Sequence, residues 1–431
     1  RYIMLFLRFF PTAFKIKNII ADNRIDIVCT SSMVNLYGAL AAKLAHRPHV
    51  LIVAEYLPVL KLVSTYFYSL SEKIVCCSNM VSRMFKKGGK VSVNYLSVDL
   101  DEFRPDIDTQ TLREKLDVHG KLVSMFTRLD KWKGVEVFIR AANYIKDDAR
   151  FILFGEAVKG KEGYVSKLNK LIGQLGVKDK LTITTVEYQN IPKIIAASDI
   201  IVHASLRPEP FGLIIIEAMA TGKPVIASKL GGPLEIISDG VDGVLIEPGN
   251  PKVLAQAISR LLKDPKLAKE IGLAARKKVV EKFDLKEYAN SFDRIFKEAL
   301  KEYSLKYARI CIGKNMLLNI SVPLAKLLVP VPPKPLDINK DAMKKILVIQ
   351  LFGMGDLICS LPLLEALKGY FNKSKITLLI DARLTELANL TKFKDNVVGY
   401  KRGILSKVGL ISRLEKNKYD MAVVLNPLFQ G

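Results

Sequence analysis

Arg207-Pro-Glu-Pro-Phe-Gly-Leu-Ile-Ile-Ile-Glu217 sets two carboxylates, Glu209 and Glu217, on either side of a glycine turn, with seven residues between them. Upstream, Asp199-Ile-Ile-Val-His203 is an apolar run of strand length. Downstream, Leu213 to Met219 repeats at helical spacing, and Ala218-Met-Ala-Thr-Gly-Lys-Pro-Val-Ile-Ala-Ser228 leads into another apolar run. The order strand, Pro-bracketed loop, Gly212 turn and helix start is that of an α/β unit. The helix start offers free backbone N–H groups and the positive end of a dipole, which together favour an anion. Carboxylates beside such a site do not hold the anion themselves. They accept hydrogen bonds from sugar hydroxyls next to it. Phosphate on the backbone and sugar on the carboxylates is the chemistry of a nucleotide-diphosphate-sugar site.

Working outward, three further motifs stand in order. Phe126-Thr-Arg-Leu-Asp-Lys-Trp-Lys-Gly134 ends a strand in a basic turn, and Phe151-Ile-Leu-Phe-Gly-Glu156 is a second core strand with its loop. Lys229-Leu-Gly-Gly-Pro-Leu-Glu235 and Asp239-Gly-Val-Asp-Gly-Val-Leu-Ile-Glu-Pro-Gly249 close the region. Each occupies a strand-to-loop position, where α/β sheets bind ligands. This series resembles the retaining GT-B glycosyltransferases of family 4, with their E-x7-E signature. The resemblance implies twin Rossmann-like domains of α/β class. It implies that Arg128 and Lys133 grip the donor diphosphate and that Glu217 accepts from the nucleotide ribose. Glu209 would accept from donor sugar hydroxyls, with the backbone of Phe211, Gly212 and Leu213 facing sugar or phosphate and Gly231 and Gly232 beside the donor. Arg128, Lys133 and Glu209 are the expected catalytic groups. The donor is a substrate, and no cofactor or metal is expected.

Composition bounds the rest. The chain has 431 residues, enough for two or three domains, and 49% hydrophobic content excludes a disordered or fibrous protein. Five cysteines form no C-x-x-C pair, which favours a reducing compartment, and four histidines lack zinc-ligand spacing. Asp99-Leu-Asp101 spells D-x-D but precedes a hinge rather than a strand end, so no metal is assigned to it. No apolar run is long enough to span a bilayer, and the expected location is cytoplasmic, with peripheral contact at the inner membrane face. The formal net charge of +23 fits a solvated Lys-rich surface, or contact with an anionic membrane or a phosphorylated lipid-linked acceptor. Nucleic acid is set aside as a partner, because the basic residues are scattered and no nucleic-acid-binding motif is present.

Along the chain, residues 1–108 read as an acceptor-side Rossmann-like domain in which Ile25–Thr30, His49–Ala54 and Lys73–Ser78 are strands and Leu36–Leu44 a helix. The first strands and Gly-rich loop of the resemblance are not in this chain. Glu55 and Tyr56 stand where the family often has a histidine; either would substitute as a polar partner for the transferred sugar, or the acceptor chemistry differs. Residues 109–300 read as the donor domain, with a terminal helix from Asp284 to Leu300, and 301–343 as an apolar then Pro-rich linker. After it, Lys344 to Leu367 reads strand, Gly353-Met-Gly355 loop and helix, with Asp356 at the helix start. That phrase resembles the opening of the heptosyltransferases, family 9, and implies the start of a second Rossmann-like GT-B domain over 344–431. There Asp356 would be the general base, in a module catalytically incomplete as it stands.

These readings converge on a sugar transferase acting on a glycan or lipid-linked acceptor in lipopolysaccharide or surface-polysaccharide assembly. Two alternatives stay open: a sugar-nucleotide epimerase on the same scaffold, which would release free epimerised sugar, and a non-catalytic glycan- or nucleotide-binding scaffold, which would bind without turnover.

Overall fold

The computed structural model describes residues 2–23, 25–33, 35–56, 61–86, 88–158, 160, 162–318, 344–350, 364–365, 367–369, 372–389, 395–400, 417 and 421–424. Its strands run β1 (Val28–Ser31), β2 (His49–Val53), β3 (Lys73–Cys76), β4 (Val91–Val93), β5 (Lys121–Phe126), β6 (Ala149–Phe154), β7 (Leu181–Thr184), β8 (Ile200–His203), β9 (Val225–Ser228), β10 (Val244–Ile246), β11 (Lys345–Gln350), β12 (Lys375–Asp381), β13 (Asn396–Tyr400) and β14 (Met421–Val424). The chain divides into two compact units. One comprises residues 1–77, 81–94 and 288–431, the other residues 78–80 and 95–287.

The second unit carries the motifs. Its sheet has the order β10-β9-β8-β5-β6-β7 with every pairing parallel. The apolar strands alternate their side chains between two faces, as a parallel sheet covered on both sides requires. Val123, Met125, Phe151 and Leu153 enter one core with Phe138 of the helix Val135–Tyr144 and Ile258 of the helix Pro251–Lys263. Leu122, Ile152 and Phe154 enter a smaller core on the other face with Ile194. The chain winds from β5 outward to β7, then returns to place β8 on the other side of β5. The reversal puts the loops after β5 and β8 side by side at the carboxyl ends of the strands, where sheets of this kind bind ligands. Leu206 N–H donates to the Trp132 carbonyl at 2.7 Å and ties the two loops.

Gly134 makes their approach possible. It has φ +74°, and a Cβ there would collide with the Ala204 carbonyl. Any side chain would meet both the left-handed backbone and the neighbouring loop.

The first unit holds an eight-stranded sheet of order β13-β12-β11-β14-β1-β2-β3-β4. The sequence reading places 1–108 and 344–431 in different domains. In the structure β14 pairs in parallel with β1 through Thr30 and Val424, and Ile20, Ile25, Val28 and Ala41 share a core with Leu347 and Leu379. A parallel strand buried on both faces needs a neighbour on each edge, and motif spacing does not reveal which segment supplies it. The terminal helix also differs from its expected end at Leu300. It runs Leu285–Leu318, through the first part of the assigned linker, where no proline or glycine pair interrupts helical geometry. Lys73 anchors it through Glu298 at 3.0 Å and Glu302 at 2.7 Å. Gly353, Gly355 and Asp356, with the rest of the Gly-loop assigned to the family-9 resemblance, lie outside the described residues.

Gly134→Ala is expected to cost about 3 kcal/mol of unfolding free energy, from left-handed strain plus the collision. Gly176 also has a positive φ, +66°, but open space at its Cβ, so Gly176→Ala is expected to cost only about 1 kcal/mol. Urea titration of both variants checks the ordering.

Candidate donor site

The loop after β5 leaves Arg128 exposed, and its guanidinium has no hydrogen-bond partner among the described residues. Three residues later, a short 3-10 helix, Lys131–Lys133, carries Lys133, whose side chain is largely buried. Lys133 Nζ lies 2.7 and 3.0 Å from the two carboxylate oxygens of Glu209, with side-chain exposures of 16% and 12%. The same ammonium sits 4.1 Å from the centroid of the Trp132 ring, so the face of an aromatic supplements the carboxylate.

Glu209 gathers more than this one partner. Ser205 Oγ–H donates to Oε2 at 3.0 Å, and His203 Nε2 lies 3.3 Å from the same oxygen. Burial pushes the Glu209 carboxyl up, but hydrogen bonding from His203 and the Lys133 ammonium hold it well below the ordinary carboxylate range. The site therefore keeps this acid ionised. The Glu209 backbone is fixed too, since Gly232 N–H donates to its carbonyl at 2.7 Å and Glu209 and Gly231 form a parallel bridge. Gly231 has φ +70°, and a Cβ at Gly231 or Gly232 would strike the backbone of Glu209 or Phe211. These glycines let one loop lie directly on the other.

Phe211 is buried between Tyr95 and Phe283, each ring 6.0 Å from its own. Its side chain is an anchor, so at Phe211 only the backbone is left to meet a ligand. Gly212, with φ +109°, turns the chain into the helix Leu213–Ala220. Glu217 lies on that helix, one turn in, among the apolar residues Ile215, Ile216 and Ala218. Burial, and secondarily the charge of Glu102, raise its carboxyl to about 8. Glu217 retains partial solvent contact, so screening trims the effect. Two carboxylates with seven residues between them thus have opposite tendencies: Glu209 stays ionised, Glu217 holds its proton.

The structure brings Lys133, Glu209, Gly231, Gly232 and the Phe211–Leu213 backbone together, and sets Arg128 on the adjoining loop. His203 and Ser205 were not singled out in the sequence. Their signal is spacing: His203 ends β8 and Ser205 follows two positions later, the interval that brings side chains to one face where the backbone stays extended. Glu55, in the other unit, is occupied by Ser32 Oγ at 2.6 Å and by the Met33 and Ala54 N–H groups, so it holds the loop after β1. Asp99 of the D-x-D phrase accepts from the N–H groups of Asp101 and Glu102, a turn-capping role.

Residues 107–278 match the family model described as glycosyl transferases group 1. This segment is a glycosyl transferases group 1 domain. The chain is 30% identical over 207 residues to the alpha-D-kanosaminyltransferase of Streptomyces kanamyceticus, covering 46% of this chain and 52% of that one. It is 29% identical over 220 residues to the N-acetyl-alpha-D-glucosaminyl L-malate synthase of Bacillus anthracis, with 46% and 56% covered. The chain thus spans about half the length of the curated relatives it matches. Among solved structures it is similar to Anabaena Alr3699/HepE in complex with UDP, with TM-score 0.63 and 26% identity over 67% of this chain and 82% of that one. A glycosyltransferase from Rickettsia africae also gives TM-score 0.63, at 29% identity over 68% and 81%. The architecture is the Rossmann-like α/β fold of GT-B glycosyltransferases.

A proton held on Glu217 in the folded state, but free to leave the unfolded chain near 4.5, penalises folding as pH rises between those values. Glu217→Gln removes that penalty. The variant is expected to match wild type near pH 5 and to exceed it by about 2 kcal/mol at pH 8. Chemical denaturation at several pH values checks this, and a difference constant with pH would contradict it.

Proposed function

We propose that this chain transfers a sugar from a nucleotide-diphosphate sugar to a hydroxyl-bearing acceptor, with retention at the anomeric carbon. The observation that carries the reading is the pairing of Lys133 with Glu209 at the carboxyl ends of β5 and β8, with Arg128, exposed and unpaired among the described residues, on the loop after β5 and the helix Leu213–Ala220 following Glu209. Similarity to group 1 glycosyl transferases and to a UDP-bound relative supports it.

In this mechanism the diphosphate rests on backbone N–H groups at the Gly212 turn, and Arg128 and Lys133 face it. The bond between the anomeric carbon and the diphosphate oxygen breaks, and charge grows on that oxygen. Fixed cations placed there stabilise the transition state more than the ground state. The acceptor oxygen bonds the anomeric carbon from the face the diphosphate leaves, and its proton passes to the departing phosphate. No protein base is needed. Glu209 accepts hydrogen bonds from the transferred sugar, and Glu217 from the ribose.

An acceptor of glycan or lipid-linked type fits the +23 charge, and a peripheral membrane contact belongs to the same proposal. Among the described residues no helix is long and apolar enough to cross a membrane. The family-9-like reading of 344–431, with Asp356 as general base, is a proposal resting on sequence alone.

Calorimetric titration with UDP, GDP and ADP tests the donor site. A ribose hydroxyl donating to Glu217 favours the ionised acid, so binding expels its proton. One nucleotide is expected to bind, with affinity rising by up to tenfold per pH unit until about 8. Glu217→Gln is expected to bind it more weakly above pH 8 and without that dependence. If none of the three binds, or the variant titrates as wild type does, the donor site is wrongly placed.

A further inference from the structure

His203 ends β8 beneath Glu209, almost fully buried, and the reading above gives it no part in transfer. Its two ring nitrogens have different surroundings. Nε2 lies 3.3 Å from Glu209 Oε2 and 3.4 Å from Ser205 Oγ. Nδ1 is buried and meets no hydrogen-bond partner among the described residues. A hydrogen on Nδ1 would be a stranded donor, costly in a closed interior, whereas a bare nitrogen lone pair is the lesser loss. The hydrogen therefore belongs on Nε2, directed at the carboxylate.

Glu209 Oε2 then has three side chains against it: Lys133 donates at 2.7 Å and Ser205 at 3.0 Å, and His203 Nε2 lies 3.3 Å away. Among the described residues, Oε1 accepts from Lys133 alone, at 3.0 Å. Oε1 is thus the oxygen with room for another donor. Lys133 contributes to both oxygens, yet a diphosphate bound between the two loops competes for that ammonium. When Lys133 turns to the diphosphate, Glu209 keeps only Ser205 and His203. Both lie against Oε2, so Oε1 is then left without a donor among the described residues.

We propose that His203 is a positioning residue for sugar recognition: its Nε2–H holds Glu209 Oε2, keeping Oε1 presented to the transferred sugar while Lys133 serves the diphosphate. This rests on the donor-site reading, and it predicts that His203 matters for the sugar and not for the nucleotide. A residue needed only for packing would affect both.

The test compares wild type, His203→Leu and His203→Gln in calorimetric titrations with UDP and UDP-glucose, beside nitrogen-15 NMR of the imidazoles. Four histidines keep that spectrum resolvable, and the Leu variant assigns the signal. UDP affinity is expected to stay within twofold across the three proteins. UDP-glucose affinity is expected to fall at least tenfold in His203→Leu and to recover to within threefold in His203→Gln, whose amide N–H replaces the imidazole donor. The spectrum is expected to show hydrogen on Nε2 and none on Nδ1. Equal losses for both ligands, unaltered UDP-glucose binding in the Leu variant, or hydrogen on Nδ1 would each overturn the proposal. If wild type binds neither ligand, the donor-site reading fails for uridine donors, and the spectrum alone decides whether His203 holds Glu209.

Discussion

One ion pair organises the second unit: Lys133 with Glu209, drawn together across the loops that follow β5 and β8. Removing two charges from water is costly, and the attraction between them repays it only when geometry is close and the leftover lone pairs are filled. Here the ammonium reaches both carboxylate oxygens, Trp132 covers it, and Ser205 and His203 supply Oε2. Several backbone features exist to bring these two groups within reach. Parallel winding puts β5 beside β8, Gly134 removes the side chain that would hold the loops apart, and Gly231 and Gly232 press the Glu209 loop from the other side.

The pair also explains how one short motif holds two acids with different duties. Glu209 lies among donors and cations and stays ionised, while Glu217 lies on an apolar helix and is pushed towards its protonated form. Environments that drive two titratable groups apart mark sites where charge is put to use. Phe211 sits between them as a mechanical element. Its ring is locked by Tyr95 and Phe283, so the backbone around Gly212 is presented rigidly to whatever occupies the turn.

Much of this was legible in the sequence, because strand-turn-helix units write their order directly into hydrophobic period and glycine placement. The strand before Glu209, the helix after Gly212 and the helix Leu36–Leu44 all follow from local pattern. Non-local facts were not legible. The sequence assigns Lys133 to a phosphate and Glu209 to a sugar, and nothing in either stretch says that they meet. His203 reads as an ordinary strand end until its ring is seen under a carboxylate. The helix continues past Leu300, where an apolar then Pro-rich composition reads as linker, and the ion pairs that anchor it come from Lys73, more than two hundred positions away. The shared sheet of β14 and β1 is likewise a pairing between distant segments that neither segment announces.

The central claim is that Lys133 and Glu209 are coupled in the free protein and that the coupling is surrendered when a diphosphate arrives. A double-mutant cycle measures this directly, using unfolding free energies of wild type, Lys133→Met, Glu209→Gln and the double variant, with and without saturating UDP. The account predicts a coupling of about 2 kcal/mol without nucleotide, as for a close and largely buried pair, and a clear reduction when UDP is bound. A coupling near zero in the free protein, or one that UDP leaves unchanged, would contradict it.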